Sequence, residues 1–223
     1  MIKNIQLYGE RCSGTNYLQS LIEMNFKEIP VTWQHGWKHW FPKLKNTKET
    51  LFIVIIRDPL DWLSSINRTP FHTELKKLSF SEFIRREWYS VYDSDSGFKE
   101  DHPLIGKEMI IDRDPETGKR FENVIKLRNS KNKHFLGIEN KVENFAFVRY
   151  EDISGDESII KDVAAKFNIS LRFPEIRRTE YFKGNKTFGV YKKKEYQKIS
   201  EEDRQFILSQ LDIEQENKIG YLK

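Results

Sequence analysis

Eight residues near the amino end, Gly9-Glu10-Arg11-Cys12-Ser13-Gly14-Thr15-Asn16, have the spacing G-x-x-x-x-G-x-x. Set between a strand and a helix, that frame turns several backbone N–H groups inward and puts a helix N-terminus behind them. Together these features hold an anion, above all a phosphate. Ser13 and Gly14 are small enough to let phosphate oxygens approach. An ATP-type loop carries lysine where Thr15 stands. That lysine reaches the β- and γ-phosphates, so its absence points away from a triphosphate and toward a smaller anionic load.

A second anion-binding group follows the apolar run Leu51 to Ile56. Arg57 comes directly after it, and Ser64 and Ser65 lie one to two helical turns later. In an open α/β sheet the residue after a buried strand sits at the carboxyl rim, where ligands bind. The fixed fork and permanent charge of arginine suit phosphate. Between the two motifs runs Trp33-Gln34-His35-Gly36-Trp37-Lys38-His39-Trp40. A histidine there could take a proton near neutral pH, and Lys38 could hold an anionic oxygen. Late in the chain Lys183, Lys186, Lys192, Lys193, Lys194 and Lys198 form a basic stretch, which is either a solvated face or part of an anion site.

The elements that must position these groups are legible in outline. Ile5 and Leu7 predict a first strand, and Leu18, Leu21, Ile22 and Asn25 predict a helix after the loop. Val31 to Trp33 predicts a short second strand. Leu51 to Ile56 is apolar without alternation, as expected of a central parallel strand covered on both faces. A helix is expected from Leu60 or Asp61, and another from the capping-box sequence Ser79-Phe80-Ser81-Glu82, with a face reaching Trp88 and Val91. Phe145 to Val148 predicts a strand, followed by a helix capped by Ser154 and Glu157. Ser200 to Leu211 predicts a final amphipathic helix. The pattern is weaker from 93 to 135, where Asp114 to Gly118 reads as the turn of a hairpin between Met109-Ile110-Ile111 and Phe121 to Leu127. Strands alternating with helices predict a three-layer α/β/α domain with a mostly parallel central sheet, spanning 1–223, with an insertion or hairpin at about 93–135.

In combination these pieces resemble the PAPS-dependent sulfotransferases, a family with a fold like that of the P-loop NTPases. The resemblance rests on Ser13-Gly14-Thr15-Asn16 after the first strand and on Arg57 with Ser65, eight residues apart. It also rests on Val148 to Ile153 before a helix, on Lys183-Gly184, and on Ile219-Gly220-Tyr221 near the end. It covers both ends and the middle of the chain but not residues 93 to 135. By resemblance, Arg11, Cys12, Ser13, Gly14, Thr15 and Asn16 grip the 5′-phosphosulfate of PAPS. Arg57, Ser65, Lys183 and Gly184 hold its 3′-phosphate, and the product is 3′,5′-ADP. The implied activity is sulfuryl transfer to a hydroxyl or amine, with a saccharide among the possible acceptors. A Lys-x-His element commonly supplies the base. His35 precedes Arg57 by 22 residues, about the expected placement, with His39 and Glu10 as competing bases. The family usually has Lys or Arg where this chain has Cys12, and Arg11 or Lys38 could supply that cation. Phe182 stands where an Arg often precedes the Lys-Gly pair.

The totals agree with this reading without selecting it. The 223 residues suffice for one sizeable α/β domain, and 13% aromatic content argues against disorder. One cysteine excludes an intrachain disulfide, and the longest apolar run, six residues, is far too short to span a bilayer. A cytoplasmic protein is expected. The net charge of +4 suits a small anion, and nucleic acid is not the expected partner. No metal-ligand spacing is present, and none is needed for the implied chemistry. A nucleotide kinase or NTPase on the same fold, or a non-catalytic protein binding nucleotide or RNA, are the competing readings.

Overall fold

The computed structural model describes residues 1–156, 158–178, 181–183, 188–190, 195–196 and 198–222. The chain divides into two compact units, Met1–Asp58 with His134–Lys194, and Pro59–Lys133 with Glu195–Lys223.

The first unit is built on strands β1 (Asn4–Tyr8), β2 (Val31–Thr32), β3 (Thr50–Ile56) and β4 (Phe145–Arg149). They form an all-parallel sheet in the order β2-β1-β3-β4. All seven residues of β3 are buried, because it has a neighbour on each side and side chains packed on both faces. On one face Ile5, Leu7, Leu51, Ile53, Ile55, Ala146 and Val148 meet three helices. These are α1 (Thr15–Asn25), α5 (Tyr150–Gly155) and α6 (Ser158–Lys166), which contribute Leu18, Leu21, Ile22, Ile153, Ile160 and Val163. On the other face Tyr8 stacks between Phe52 at 6.5 Å and Phe135 at 5.7 Å. Phe135 lies in the last turn of α4 (Val124–Leu136). Helix, sheet and helix thus form the layers expected from the alternating pattern. A separate antiparallel pair, β5 (Tyr181–Lys183) and β6 (Phe188–Val190), follows, with β5 alongside α1.

The second unit holds α2 (Pro59–Arg68), α3 (Phe80–Arg85), most of α4, α7 (Glu201–Gln210) and α8 (Ile213–Lys218). Trp62, Leu63, Ile66, Phe83, Ile84 and Trp88 are buried there. Side chains close the starts of α3, α7 and α8, as the sequence suggested for Ser79. The Ser79 hydroxyl accepts from the Glu82 N–H and the Glu82 carboxylate accepts from the Ser79 N–H, a full capping box. Ser200 and Asp212 cap α7 and α8 by accepting from the Asp203 and Gln215 N–H groups.

Three expectations change. The helix from Ser79 stops at Arg85 because Arg86 is extended, and Trp88 and Val91 pair instead with Phe121 and Glu108. No hairpin joins Met109–Ile111 to 121–127, since Ile110–Asp112 is a single helical turn and α4 begins at Val124. The segment after β4 is two helices, not one. Ser154 lies inside α5, while Asp156 accepts from the Ser158 N–H at 2.8 Å and starts α6. Glu157 lies outside the described residues. The described helices include none long and apolar enough to cross a membrane.

Candidate functional site

The loop leaves β1 at Gly9 and enters α1 after Gly14. Both glycines are required. A Cβ on Gly9 would lie 2.5 Å from the Ile55 carbonyl oxygen and 2.9 Å from Thr15 Cγ2. Gly14 has φ +91, and a Cβ on it would run into the Tyr150 ring. Gly14 caps α1 without a side-chain hydrogen bond, and the first turn of α1 carries no acidic residue. The positive end of the helix dipole is therefore not discharged by a capping carboxylate.

Arg57 and the loop are brought together. Arg57 is 8% exposed, and its Nη1 donates to the Cys12 carbonyl at 3.2 Å. Its guanidinium lies 4.6 Å from the centre of the Tyr150 ring. The register explains the meeting. Ile56 pairs with Arg149, so Arg57 and Tyr150 leave β3 and β4 at one level of the carboxyl rim. Tyr150 wedges between Arg57 and Gly14. Its neighbours fix it in place. Glu151 accepts from the Asp58 N–H at 3.0 Å, and Arg149 forms a two-point bond to Asp152. Tyr150 was read in sequence only as part of a structural element. Its place at the rim follows once β4 is known to neighbour β3.

The segment after β2 sends two more groups to the loop. The Gly9 N–H donates to the Lys38 carbonyl at 3.1 Å, and His39 Nδ1 lies 2.6 Å from the Gly9 carbonyl oxygen. A carbonyl can only accept, so Nδ1 carries the proton, and the neutral ring has its lone pair on Nε2. Lys38 Nζ donates to Asn16 Oδ1 on the first turn of α1. Lys38 and His39 are 9% and 7% exposed, so both are held rather than mobile.

His35 is not brought to the loop. Its Nε2 lies 3.3 Å from Thr50 Oγ1, whose hydroxyl donates to Asn4 Oδ1 at 2.7 Å. Asn4 and Thr50 are the paired first residues of β1 and β3. They stand at the amino end of the strands, about 13 Å along β1 from Tyr8. The ring packs at 4.8 Å on Phe52, and burial pushes its pKa below 6.5, only partly offset by the Lys43 backbone. Gln6 and the Tyr8 hydroxyl hold the His35 backbone.

Glu10 and Arg11, at 3% and 2% exposure, are turned on each other. Glu10 Oε1 accepts from both the backbone N–H and Nε of Arg11, each at 2.7 Å. Cys12 is half-buried with φ +64, and Ser13 is buried. Ser65 belongs to the second unit, where it is buried on α2. Lys183 is placed by its backbone in β5, and Gly184, Lys186, Lys192, Lys193 and Lys194 lie outside the described residues. Among the described residues there is no group of three or more His, Cys, Asp or Glu that could hold a metal ion. Comparison of the chain with family models, with curated proteins and with solved structures finds no match.

Proposed function

We propose that this protein is a sulfotransferase that uses PAPS, built on a P-loop-like strand–loop–helix start. The observation that carries the reading is the meeting of Arg57 with the 9–14 loop at one rim of the parallel sheet. Two anion-binding groups far apart in sequence then serve one ligand carrying phosphates at both ends. The donor set fits such a ligand. It comprises a guanidinium, an ammonium at Asn16, and a helix N-terminus whose glycine cradle a Cβ would fill. PAPS would supply the activated sulfuryl group, and sulfuryl transfer, like phosphoryl transfer, depends mainly on positioning and fixed positive charge.

Each residue then has a distinct task. Arg57 holds phosphate oxygens as a fork, aimed by Tyr150. Lys38 is the cation that stands in for the residue replaced by Cys12. Arg11, expected as the other candidate, is already neutralised by Glu10. That same pairing disfavours Glu10 as base. His39 takes the acceptor proton at Nε2, because Gly9 fixes the tautomer that leaves the lone pair there.

The test is a thermal-shift comparison of 3′,5′-ADP with ATP and magnesium, followed by a turnover assay with PAPS. Ligand at 100 times Kd stabilises by about 2.7 kcal/mol. A shift with 3′,5′-ADP and none with ATP is expected. A shift with ATP alone would overturn the proposal in favour of a kinase, and 3′,5′-ADP binding with no turnover would reduce the protein to a nucleotide binder.

A further inference from the structure

The net charge of +4 conceals an uneven distribution. Residues 172–198 hold nine Lys or Arg against three Glu, while the other 196 residues hold 29 Lys or Arg against 31 Asp or Glu. A segment of net +6 thus belongs to a chain that is otherwise slightly acidic. The same 27 residues include six Phe or Tyr, against 13% aromatic content overall. The start of this segment is fixed against the end of α1. Phe26 and Leu171 pair as an antiparallel bridge, the Lys27 N–H donates to the Ser170 carbonyl at 2.9 Å, and the Arg172 N–H donates to the Asn25 carbonyl at 2.8 Å. The Asn25 amide, 1% exposed, clamps Arg177 twice. Its Oδ1 accepts from the Arg177 N–H at 2.7 Å, and its Nδ2 donates to the Arg177 carbonyl at 2.9 Å. Three exposed cations, Lys27, Arg172 and Arg177, are thereby held around the end of one helix.

These cations lack firm countercharges. Lys27 lies 3.9 Å from Glu28, but the two side chains are 58% and 83% exposed and such a pair contributes little. Glu175 is engaged by Lys161 at 3.0 Å. Arg172 uses Nε on the Phe26 carbonyl at 2.7 Å, and the Arg177 guanidinium lies 3.4 Å from the centre of the Phe173 ring. Among the described residues, neither guanidinium has a carboxylate partner. A guanidinium resting on one ring can offer its other face to a second ring and its charge to a phosphate. Cations interleaved with flat side chains match a polymer that alternates phosphates with unpaired bases. In a duplex the bases face each other and are closed to such stacking, and an acidic peptide supplies charge without the rings. An anionic membrane calls for an amphipathic helix, whereas the described elements between Lys166 and Glu201 are the strands β5 and β6.

We infer that the patch of Lys27, Arg172 and Arg177, with the basic segment that Arg172 opens, binds single-stranded nucleic acid. The inference stands apart from the sulfotransferase reading, in which those three residues have no task. The intact chain is titrated with a fluorescein-labelled dodecamer of uridine, as wild type, Arg177→Lys and the double variant Arg172→Gln/Arg177→Gln, with 3′,5′-ADP titrated in parallel. Wild type should bind the dodecamer with Kd of about 1–100 µM in 0.1 M salt. The double variant should bind about tenfold or more weaker, with a log–log salt slope shallower by about 1.4 as two phosphate contacts are lost. Arg177→Lys keeps the charge but not the flat stack, and should weaken binding about threefold or more. The variants should match wild type for 3′,5′-ADP within about twofold. Wild type that binds the dodecamer but not 3′,5′-ADP would support this inference and overturn the sulfotransferase reading alone. No binding of the dodecamer, with or without binding to phosphatidylserine vesicles, would overturn the inference. So would an unchanged double variant, equal binding of the duplex, or equal competition by inorganic polyphosphate of the same charge. Complete displacement by 3′,5′-ADP would place the dodecamer in the nucleotide site and overturn it too.

Discussion

Replacing Gly14 by alanine adds one methyl group at a place where backbone and packing both resist it. The residue sits at φ +91, outside the regions an L-residue adopts easily, and holding alanine there costs about 1–3 kcal/mol. The new Cβ also meets the Tyr150 ring, and an inserted methyl that forces a packed aromatic aside costs about 1–3 kcal/mol more. Gly14→Ala should therefore lose about 2–6 kcal/mol in urea unfolding, read as a lower midpoint at constant slope. Tyr150→Ala separates the two costs. In that background the methyl has room, and Gly14→Ala should cost only the backbone share, about 1–3 kcal/mol. A double-mutant cycle should then show coupling of about 1–3 kcal/mol. Additive effects would mean that the ring is not the obstacle. A loss under 1 kcal/mol in the wild-type background would refute the backbone argument as well. Displacing Tyr150 also removes the face on which Arg57 rests, so Gly14→Ala should weaken 3′,5′-ADP even where the protein remains folded.

Three further outcomes follow from charged and titrating groups. Burial holds the His35 pKa below 6.5, so the unfolded chain takes up the proton first as pH falls. The His35 contribution is thus present above about pH 6.5 and lost below it, and His35→Gln should lose less stability than wild type between about pH 7 and 5 in denaturant titrations. Glu108 is bonded to Arg113 and Arg120, whose hydrogen bonds pull its pKa from 4.5 to about 2. Its contribution is present above pH 4.5 and lost on acidification toward 2, so Glu108→Gln should be less stable at neutral pH and flatter across that window. Glu216 is fully buried and makes a two-point bond to Arg128, at 2.6 and 2.8 Å. Glu216→Ala strands a buried guanidinium and should cost about 3–5 kcal/mol by calorimetry or urea, with Arg128→Met restoring a large part.

Reading the sequence worked best where one physical rule decided the outcome. The run Leu51 to Ile56 had no polar face, was short and was rich in β-branched residues, which together favour a strand covered on both sides. The glycines at 9 and 14 marked a tight strand-to-helix turn, and the contacts at both confirm the need for them. Side-chain direction was harder. His35 and His39 are four residues apart on an irregular turn, with no period to say which faces the loop. The hydrogen bonds of Gln6, Thr50 and Gly9 decide it, and all lie outside the segment itself. Helix α4 was missed for a different reason. Its buried stripe of Val124, Leu127, Arg128, Lys131 and Phe135 has true helical spacing. Two of those positions hold cations, so the stripe does not look apolar until Asp112 and Glu216 are found beside them. Likewise, the early stop of the helix at Arg85 depends on Trp88 finding Phe121, a partner that no local pattern reveals.

Those two cations also constrain the order in which the polypeptide can mature. Lys131 takes its countercharge from a residue 19 positions earlier, whereas Arg128 waits for one 88 positions later. On the ribosome, α4 would emerge with one charge already answered and the other still bare. Its Arg128 has no carboxylate partner until α8 has been synthesised, so the second unit cannot complete its packing before the last helix is made.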